Sequence, residues 1–500
     1  MHVPRRTAVA LFAIVAAAPA LLAQDRTPGA ANENAKKPAP GVLRLLPSDA
    51  VSDKQVTAGG RTVAYTATAG TLPLYDQNGE QSAAVFYTAY AAKEADAAKR
   101  PVTFAFNGGP GAASTFLNFG LAGPRILDFG PNAPDGAAAK LVDNPETWLE
   151  FTDLVMIDPI GTGWSRAAKS DGGSAFWGVQ RDAQSIAKVI ALYVAHNGRS
   201  ASPKYLLGES YGGFRAVKVA RALQGEQGIV VSGIVMVSPM LEASLQWSGA
   251  RDALGAALHF PSLVATELER TRRFTPQALA DAERFALNEY LPGLAGPRLS
   301  GEAAARFYRR IAEFTGLAPD EVAKSRGYVR SAYLQHLREN GQTASLYDAS
   351  FTYADPYPDG EGRHGPDPML DGFVRALAGT FAGYARNELG FRTDMTYTLL
   401  ARDVGGKWDW GDRRNPPGVS DDLRTLLSLN PSFRLLVSHG TSDLVTPYGV
   451  SRYVLDRIPE IGGAERLSLK TYRGGHMFYF AAEQRRAFTA EAKAFYRTGP

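Results

Sequence analysis

Tyr205-Leu206-Leu207-Gly208-Glu209-Ser210-Tyr211-Gly212-Gly213 is the stretch from which the architecture follows. Its first three residues are a short apolar run suited to a buried strand, and an amphipathic pattern suited to a helix begins at Phe214. Between them lies Gly-x-Ser-x-Gly, a sharp strand-to-helix turn that exposes its serine hydroxyl. Glycine is required at 208 and 212 because side chains there would meet the adjacent strand and helix. Ser210 is thereby presented as a candidate nucleophile. A five-residue pattern also arises in ordinary glycine-rich turns, so its meaning depends on the surrounding chain.

Working outward, apolar runs at 102–106, 154–157, 229–237, 433–437 and 467–472 suit strands buried on both faces. Helical patterns over 183–196 and 215–223 separate several of them, and this order predicts a mostly parallel sheet. Ahead of these, 55–68 and 83–92 are rich in Val, Tyr, Thr and Phe with near-alternation, and the stretch between them includes the polar run 76–81. They predict an antiparallel pair opening the sheet. From 240 to 424 helix signals dominate, including Thr275 before Pro276 and Ser300 before a pattern over 301–314. The predicted architecture is an α/β-hydrolase fold, with a core over 51–239 and 425–500. Residues 240–424 are predicted to be a helical cap inserted above the strand ends, where ligands bind in such folds.

The remaining parts of an acyl-transfer site occur in the order this fold uses. Phe106-Asn107-Gly108-Gly109-Pro110-Gly111 follows a strand and leaves backbone N–H groups able to form an oxyanion hole. The second donor in this fold is the N–H after the nucleophile, so Gly109 and Tyr211 are the candidate pair. A phosphate loop is the rival reading, but the stretch lacks both the Walker lysine and the G-x-G-x-x-G spacing. After 433–437 comes Ser438-His439-Gly440-Thr441-Ser442-Asp443, and after 467–472 comes Gly474-Gly475-His476-Met477. Asp443 is the candidate orienting acid and His476 the candidate base for Ser210. His439 precedes Asp443 on the same loop, the wrong order for that role. No histidine shows metal-ligand spacing, and the Pro-rich acidic stretch 355–371 does not match a helix-flanked calcium loop.

Composition limits the alternatives. Hydrophobic residues make up 45% and charged residues 21% of the 500, which is ordinary for a folded globular chain. Arg5 and Arg6, an apolar run over 8–18 and Leu21-Leu22-Ala23 predict a signal peptide over 1–23, with export to the periplasm or medium. That run is shorter than the roughly 20 residues a membrane span needs. Residues 24–50, with Pro28, Pro38, Pro40 and Pro47, are predicted to be a flexible leader. Losing two arginines and no acids lowers the formal charge from +4 to +2, so nothing points to nucleic acid. There is no cysteine, which excludes thiol nucleophiles, thiolate metal sites and disulfides.

N-G-G-P-G at 107–111, G-E-S-Y-G-G at 208–213, G-T-S-D at 440–443 and G-G-H-M at 474–477, taken in this order, resemble the serine carboxypeptidase family and its bacterial branch. Asp143-Asn144-Pro145, Trp148 and Asp158-Pro159-Ile160-Gly161-Thr162-Gly163-Trp164-Ser165 add to the resemblance, which covers roughly residues 80–480. The resemblance implies that Asn107 and Glu209 bind the free C-terminal carboxylate of a peptide substrate. A glutamate donates to a carboxylate only when protonated, so such binding favours mildly acidic pH. Three positions depart from the family pattern: Ala105 stands for a tryptophan, Ala112 for a loop cysteine, and Leu121 for a second recognition glutamate. The resemblance thus implies an exported serine-type carboxypeptidase working through an acyl-enzyme, with no metal or organic cofactor. An esterase or acyltransferase of the same fold is the alternative to which Leu121 points. A catalytically silent ligand-binding protein is the alternative of another class, opposed by the presence of nucleophile, acid and base.

Overall fold

The two glycines Gly59 and Gly60 take φ values of +56° and +77°, and Ala58 pairs with Arg61 across them. Such a two-residue turn needs positive φ at both positions. It divides the extended stretch over 55–68 between two strands, where the sequence pattern suggested one. The structure, a computed structural model, describes residues 40–93, 95–130, 136–249, 251–339, 341–359, 367–412 and 414–497. The signal-peptide reading and most of the leader reading fall outside those residues. Gly41–Leu45 is a short 3-10 turn with Leu43 buried.

In chain order the strands are β1 (Ala50–Ala58), β2 (Arg61–Tyr75), β3 (Gln81–Ala92), β4 (Val102–Phe106), β5 (Arg125–Asp128), β6 (Lys140–Asp143) and β7 (Asp153–Ile157). They continue as β8 (Arg166–Ala167), β9 (Lys204–Glu209), β10 (Gly233–Val237), β11 (Gln342–Ala344), β12 (Thr352–Ala354), β13 (Arg434–Gly440) and β14 (Leu467–Tyr472). Ten of them form one sheet in the order β1-β2-β3-β7-β4-β9-β10-β13-β14, with β8 on β3. Pairing is antiparallel from β1 to β7 and parallel from β7 to β14. β2 and β3 are joined by a polar turn in which the Asp76 carboxylate accepts from the N–H groups of Asn78 and Glu80, at 2.9 and 3.0 Å.

Every residue of β4, β7, β9 and β10 is buried, which is why these strands read as continuous apolar runs rather than alternating ones. On one face the helices Val179–His196 and Tyr211–Glu226 contribute Ile186, Ile190, Phe214 and Val217 to the core. On the other, Trp148, Phe381 and the helix Ala482–Arg497 close a second core. Together these features make the α/β-hydrolase fold.

Between β10 and β13 the chain is mainly helical, with its own apolar cluster around Phe260, Phe285, Tyr290 and Tyr333. Thr275 Oγ1 accepts from Ala278 N at 3.1 Å ahead of the helix Pro276–Phe285, whereas the Ser300 side chain makes no such bond before Gly301–Thr315. Two hairpins, β5–β6 and β11–β12, had no separate signal in the sequence. Among the described residues, no helix is long and apolar enough to cross a membrane.

Candidate active site

β9 ends at Glu209, and Ser210 takes φ +61° and ψ −127° before the helix Tyr211–Glu226 begins. A non-glycine residue in that region stores on the order of 1–3 kcal/mol and persists only where its surroundings enforce it. The enforcement is visible in the neighbouring glycines. A Cβ on Gly208 would lie 2.0 Å from Gly212 O, and one on Gly212 would lie 2.5 Å from Phe106 O. The turn therefore packs backbone against backbone, with its serine at the C-terminal end of a central strand.

The glycine-rich loop after β4 lies directly beside this turn, since a Cβ on Gly108 would be 2.5 Å from Tyr211 N. Gly109 follows with φ +100°. Tyr211 opens its helix, where backbone N–H groups have no carbonyl one turn earlier to bond to. The loop is held from below by Arg215, which donates to Asn107 O through Nη1 and to Asp182 Oδ2 through Nε at 2.6 Å. Asn107 Oδ1 in turn accepts from Leu117 N at 3.2 Å.

Two further loops supply Asp443 and His476, after β13 and β14. His476 Nδ1 and Asp443 Oδ2 are 2.7 Å apart, and both side chains are buried. Asp443 Oδ1 accepts from the N–H groups of Val445 and Thr446, at 2.8 and 2.9 Å. Thr446 Oγ1 lies 2.6 Å from Asp443 Oδ2 and 3.0 Å from His476 Nδ1. Burial pushes the Asp443 carboxyl up, but the His476 charge and these hydrogen bonds outweigh it and hold the group below its ordinary range. Burial likewise opposes the charged imidazole, yet Asp443 and Glu209 raise His476 above its usual value. The serine turn and the His476 loop meet through β10: Ser210 N donates to Val237 O at 2.9 Å, and Ser238 Oγ donates to His476 O at 2.8 Å.

Glu209 is buried and receives a hydrogen bond on Oε2 from the Tyr479 hydroxyl at 2.5 Å. Burial raises its carboxyl to about 7, against the lowering effects of His476, Tyr479 and Asn107. The structure thus brings Asn107 and Glu209 together, joins Asp443 to His476, and sets Gly108, the residue before Gly109, against the backbone of Tyr211. His439 is buried close enough to Asp443 and His476 to feel their charges, with Nε2 2.8 Å from Ser451 Oγ. Ala105, Leu121 and Ala112 are all buried. Among the described residues no group of three or more His, Asp or Glu side chains could hold a metal ion.

A family model described as serine carboxypeptidase matches residues 62–275. Over that stretch the chain is similar to the serine carboxypeptidase family. Within the matched part lie the glycine-rich loop and the Ser210 turn. Over 67 residues, 13% of this chain and 13% of that protein, it is 37% identical to serine carboxypeptidase-like 44 of Arabidopsis thaliana. Over 136 residues, 26% of this chain and 24% of that protein, it is 30% identical to carboxypeptidase sxa2 of Schizosaccharomyces pombe. The alignments thus span less than a third of either curated relative. The solved structure of Kex1(delta)p, a prohormone-processing carboxypeptidase from Saccharomyces cerevisiae, superposes with a TM-score of 0.56 over 87% of this chain and 91% of that one. At 16% identity it shares the fold.

Several residues of this site were not singled out in the sequence. Thr446 bridges the acid and the base, Tyr479 holds Glu209, and Tyr347 accepts from His476 N at 2.5 Å while its ring stands edge-on to the imidazole at 5.3 Å. Thr446 and Tyr479 sit three residues beyond Asp443 and His476, so scanning a turn past each loop would have found them.

Proposed function

We propose that this protein is a serine-type carboxypeptidase that removes C-terminal residues from peptides. The observation that carries the reading is the bonded His476–Asp443 pair on loops neighbouring a strained serine turn, with a buried glutamate one residue before the serine. In the proposed mechanism Ser210 attacks the scissile carbonyl while His476 takes its proton, and Asp443 holds the imidazole and stabilises its charged form. The N–H groups of Gly109 and Tyr211 receive the developing oxyanion. His476 returns the proton to the leaving amine, and water then releases the acyl group from Ser210 by the reverse sequence. Asn107 and protonated Glu209 hold the substrate's terminal carboxylate. Residues 51–239 and 425–500 form the catalytic core in this reading, and 240–424 form a cap that shapes the substrate site. We further propose that residues 1–23 direct export.

A second reading, esterase or acyltransferase, is favoured by Leu121, an apolar side chain where the family pattern has a second recognition glutamate. Incubating purified protein and its Ser210→Ala variant with N-blocked dipeptides carrying free or amidated C-termini, from pH 4 to 8, separates the two. Cleavage of the free acid alone, lost in the variant, supports the carboxypeptidase. Cleavage of the amidated dipeptide, or of neither, favours the second reading.

A further inference from the structure

The site contains a substitution that the family pattern does not describe. Where the family pattern has a second recognition glutamate this chain has Leu121, and the hydrogen bond on Glu209 Oε2 comes from the Tyr479 hydroxyl. The replacement is local. A Cβ on Gly120 would lie 2.5 Å from Tyr479 Cε2, so the backbone next to Leu121 packs directly on the tyrosine ring. That ring is buried, tilted against Phe480 at 5.0 Å and edge-on to Phe478 at 6.0 Å, so its hydroxyl has a fixed direction.

We infer that Tyr479 is a positioning residue for recognition of the substrate's terminal carboxylate, acting through Glu209 in place of the absent second glutamate. The inference rests on the carboxypeptidase reading above. A phenol can only donate to an ionised carboxylate, and it donates better to the carbonyl oxygen than to the hydroxyl oxygen of a carboxylic acid. With Oε2 engaged by Tyr479, the proton of neutral Glu209 resides on Oε1, which makes Oε1 the donor to a substrate carboxylate. A second glutamate would compete for that proton, whereas the phenol keeps its own: burial and the Glu209 charge hold it well above its ordinary value. The other groups facing Glu209 are Asn107, His476, Asp443 and Tyr347. None of them is removed by substituting Tyr479.

The test is Tyr479→Phe, which deletes one oxygen and retains the ring. The protein and the variant are assayed from pH 5 to 9 on an N-blocked dipeptide, its amide and its methyl ester, with melting temperature as a control for folding. The expected result is a KM for the free acid raised about tenfold, the scale of one lost hydrogen bond to a charged group. kcat and the ester's kinetic constants are expected to stay within about twofold. Removing a donor that favours ionised Glu209 also moves the high-pH limb for the free acid upward. Equal losses on free acid and ester, or an unchanged preference with an unmoved limb, overturn the inference while leaving the carboxypeptidase reading intact. An unsubstituted protein that cleaves the ester but not the free acid overturns both. Should the variant fail to fold, Leu121→Gln in the unsubstituted chain provides the second test. An amide on the segment that packs on the Tyr479 ring is expected to compete for its hydroxyl and raise the KM for the free acid, and an unchanged KM overturns the inference.

Discussion

At the scale of single residues, two buried groups of opposite charge type govern the expected pH response. In the proposed mechanism Glu209, raised to about 7 mainly by burial, must be protonated to hold a carboxylate, and His476 must be neutral to accept the Ser210 proton. With free-acid substrates, kcat/KM therefore rises as His476 loses its proton and falls again as Glu209 loses its own near pH 7. With an ester, which offers no carboxylate, only the rising limb remains. Glu209→Gln supplies a donor that never ionises, so it is expected to abolish the falling limb for free acids. The same change removes a negative charge that raises His476, so the rising limb moves to lower pH. Paired pH profiles of kcat/KM check both statements, and a falling limb that survives in the Gln variant contradicts them.

At the scale of elements, one short segment ties the acid loop and the base loop together. Residues 345–350, between β11 and β12, accept from His476 N through Tyr347 O and from Gly475 N through Asp348 Oδ2 at 2.8 Å. They also accept from Leu444 N through Leu346 O, while Ala349 N donates to Ser442 O. The other Asp348 oxygen takes the N–H and hydroxyl of Ser350 at 3.1 and 2.6 Å. Asp348→Ala leaves the buried Gly475 N–H without its acceptor and frees the loop that carries His476. A displacement of about 1 Å there costs roughly 100-fold in rate, so kcat is expected to fall by one to two orders of magnitude with KM little changed. Steady-state kinetics beside a melting curve distinguish this from simple unfolding, and an unchanged kcat in a folded variant refutes it. Such a segment shows why part of the site was not legible in the sequence. Val102–Phe106 announces a buried strand because all five of its residues are buried, and Gly208 announces a turn because the Gly212 carbonyl that leaves no room for a side chain there is close in sequence. Asp348 meets a partner 127 residues away and Glu209 meets Tyr479 across 270, so neither pairing leaves a local pattern. The hairpin at Gly59-Gly60, by contrast, was written locally and blurred only by the extended residues on both sides.

At the scale of the whole molecule, the site depends on a sheet whose second face is covered by the far end of the chain. The helix Ala482–Arg497 lays Phe488, Phe495 and Tyr496 on that face. Tyr496 stacks on Tyr205 of β9 at 4.2 Å, and its hydroxyl lies 2.7 Å from Thr103 Oγ1 of β4. β4 runs into the glycine-rich loop and β9 into the serine turn, so this one side chain braces the strands that deliver both. There is no disulfide to share the task, because the chain has no cysteine. Tyr496→Ala opens a cavity beneath both strands and is expected to destabilise the fold by about 3–5 kcal/mol, as for other large buried aromatics. Tyr496→Phe retains the ring and forfeits only the hydroxyl contact, a loss of about 1 kcal/mol. The check is the denaturant midpoint of each variant at unchanged slope. The larger effect must lie with the alanine: equal losses would mean that the hydroxyl, rather than the packed ring, holds the end of the chain to the strands of the site.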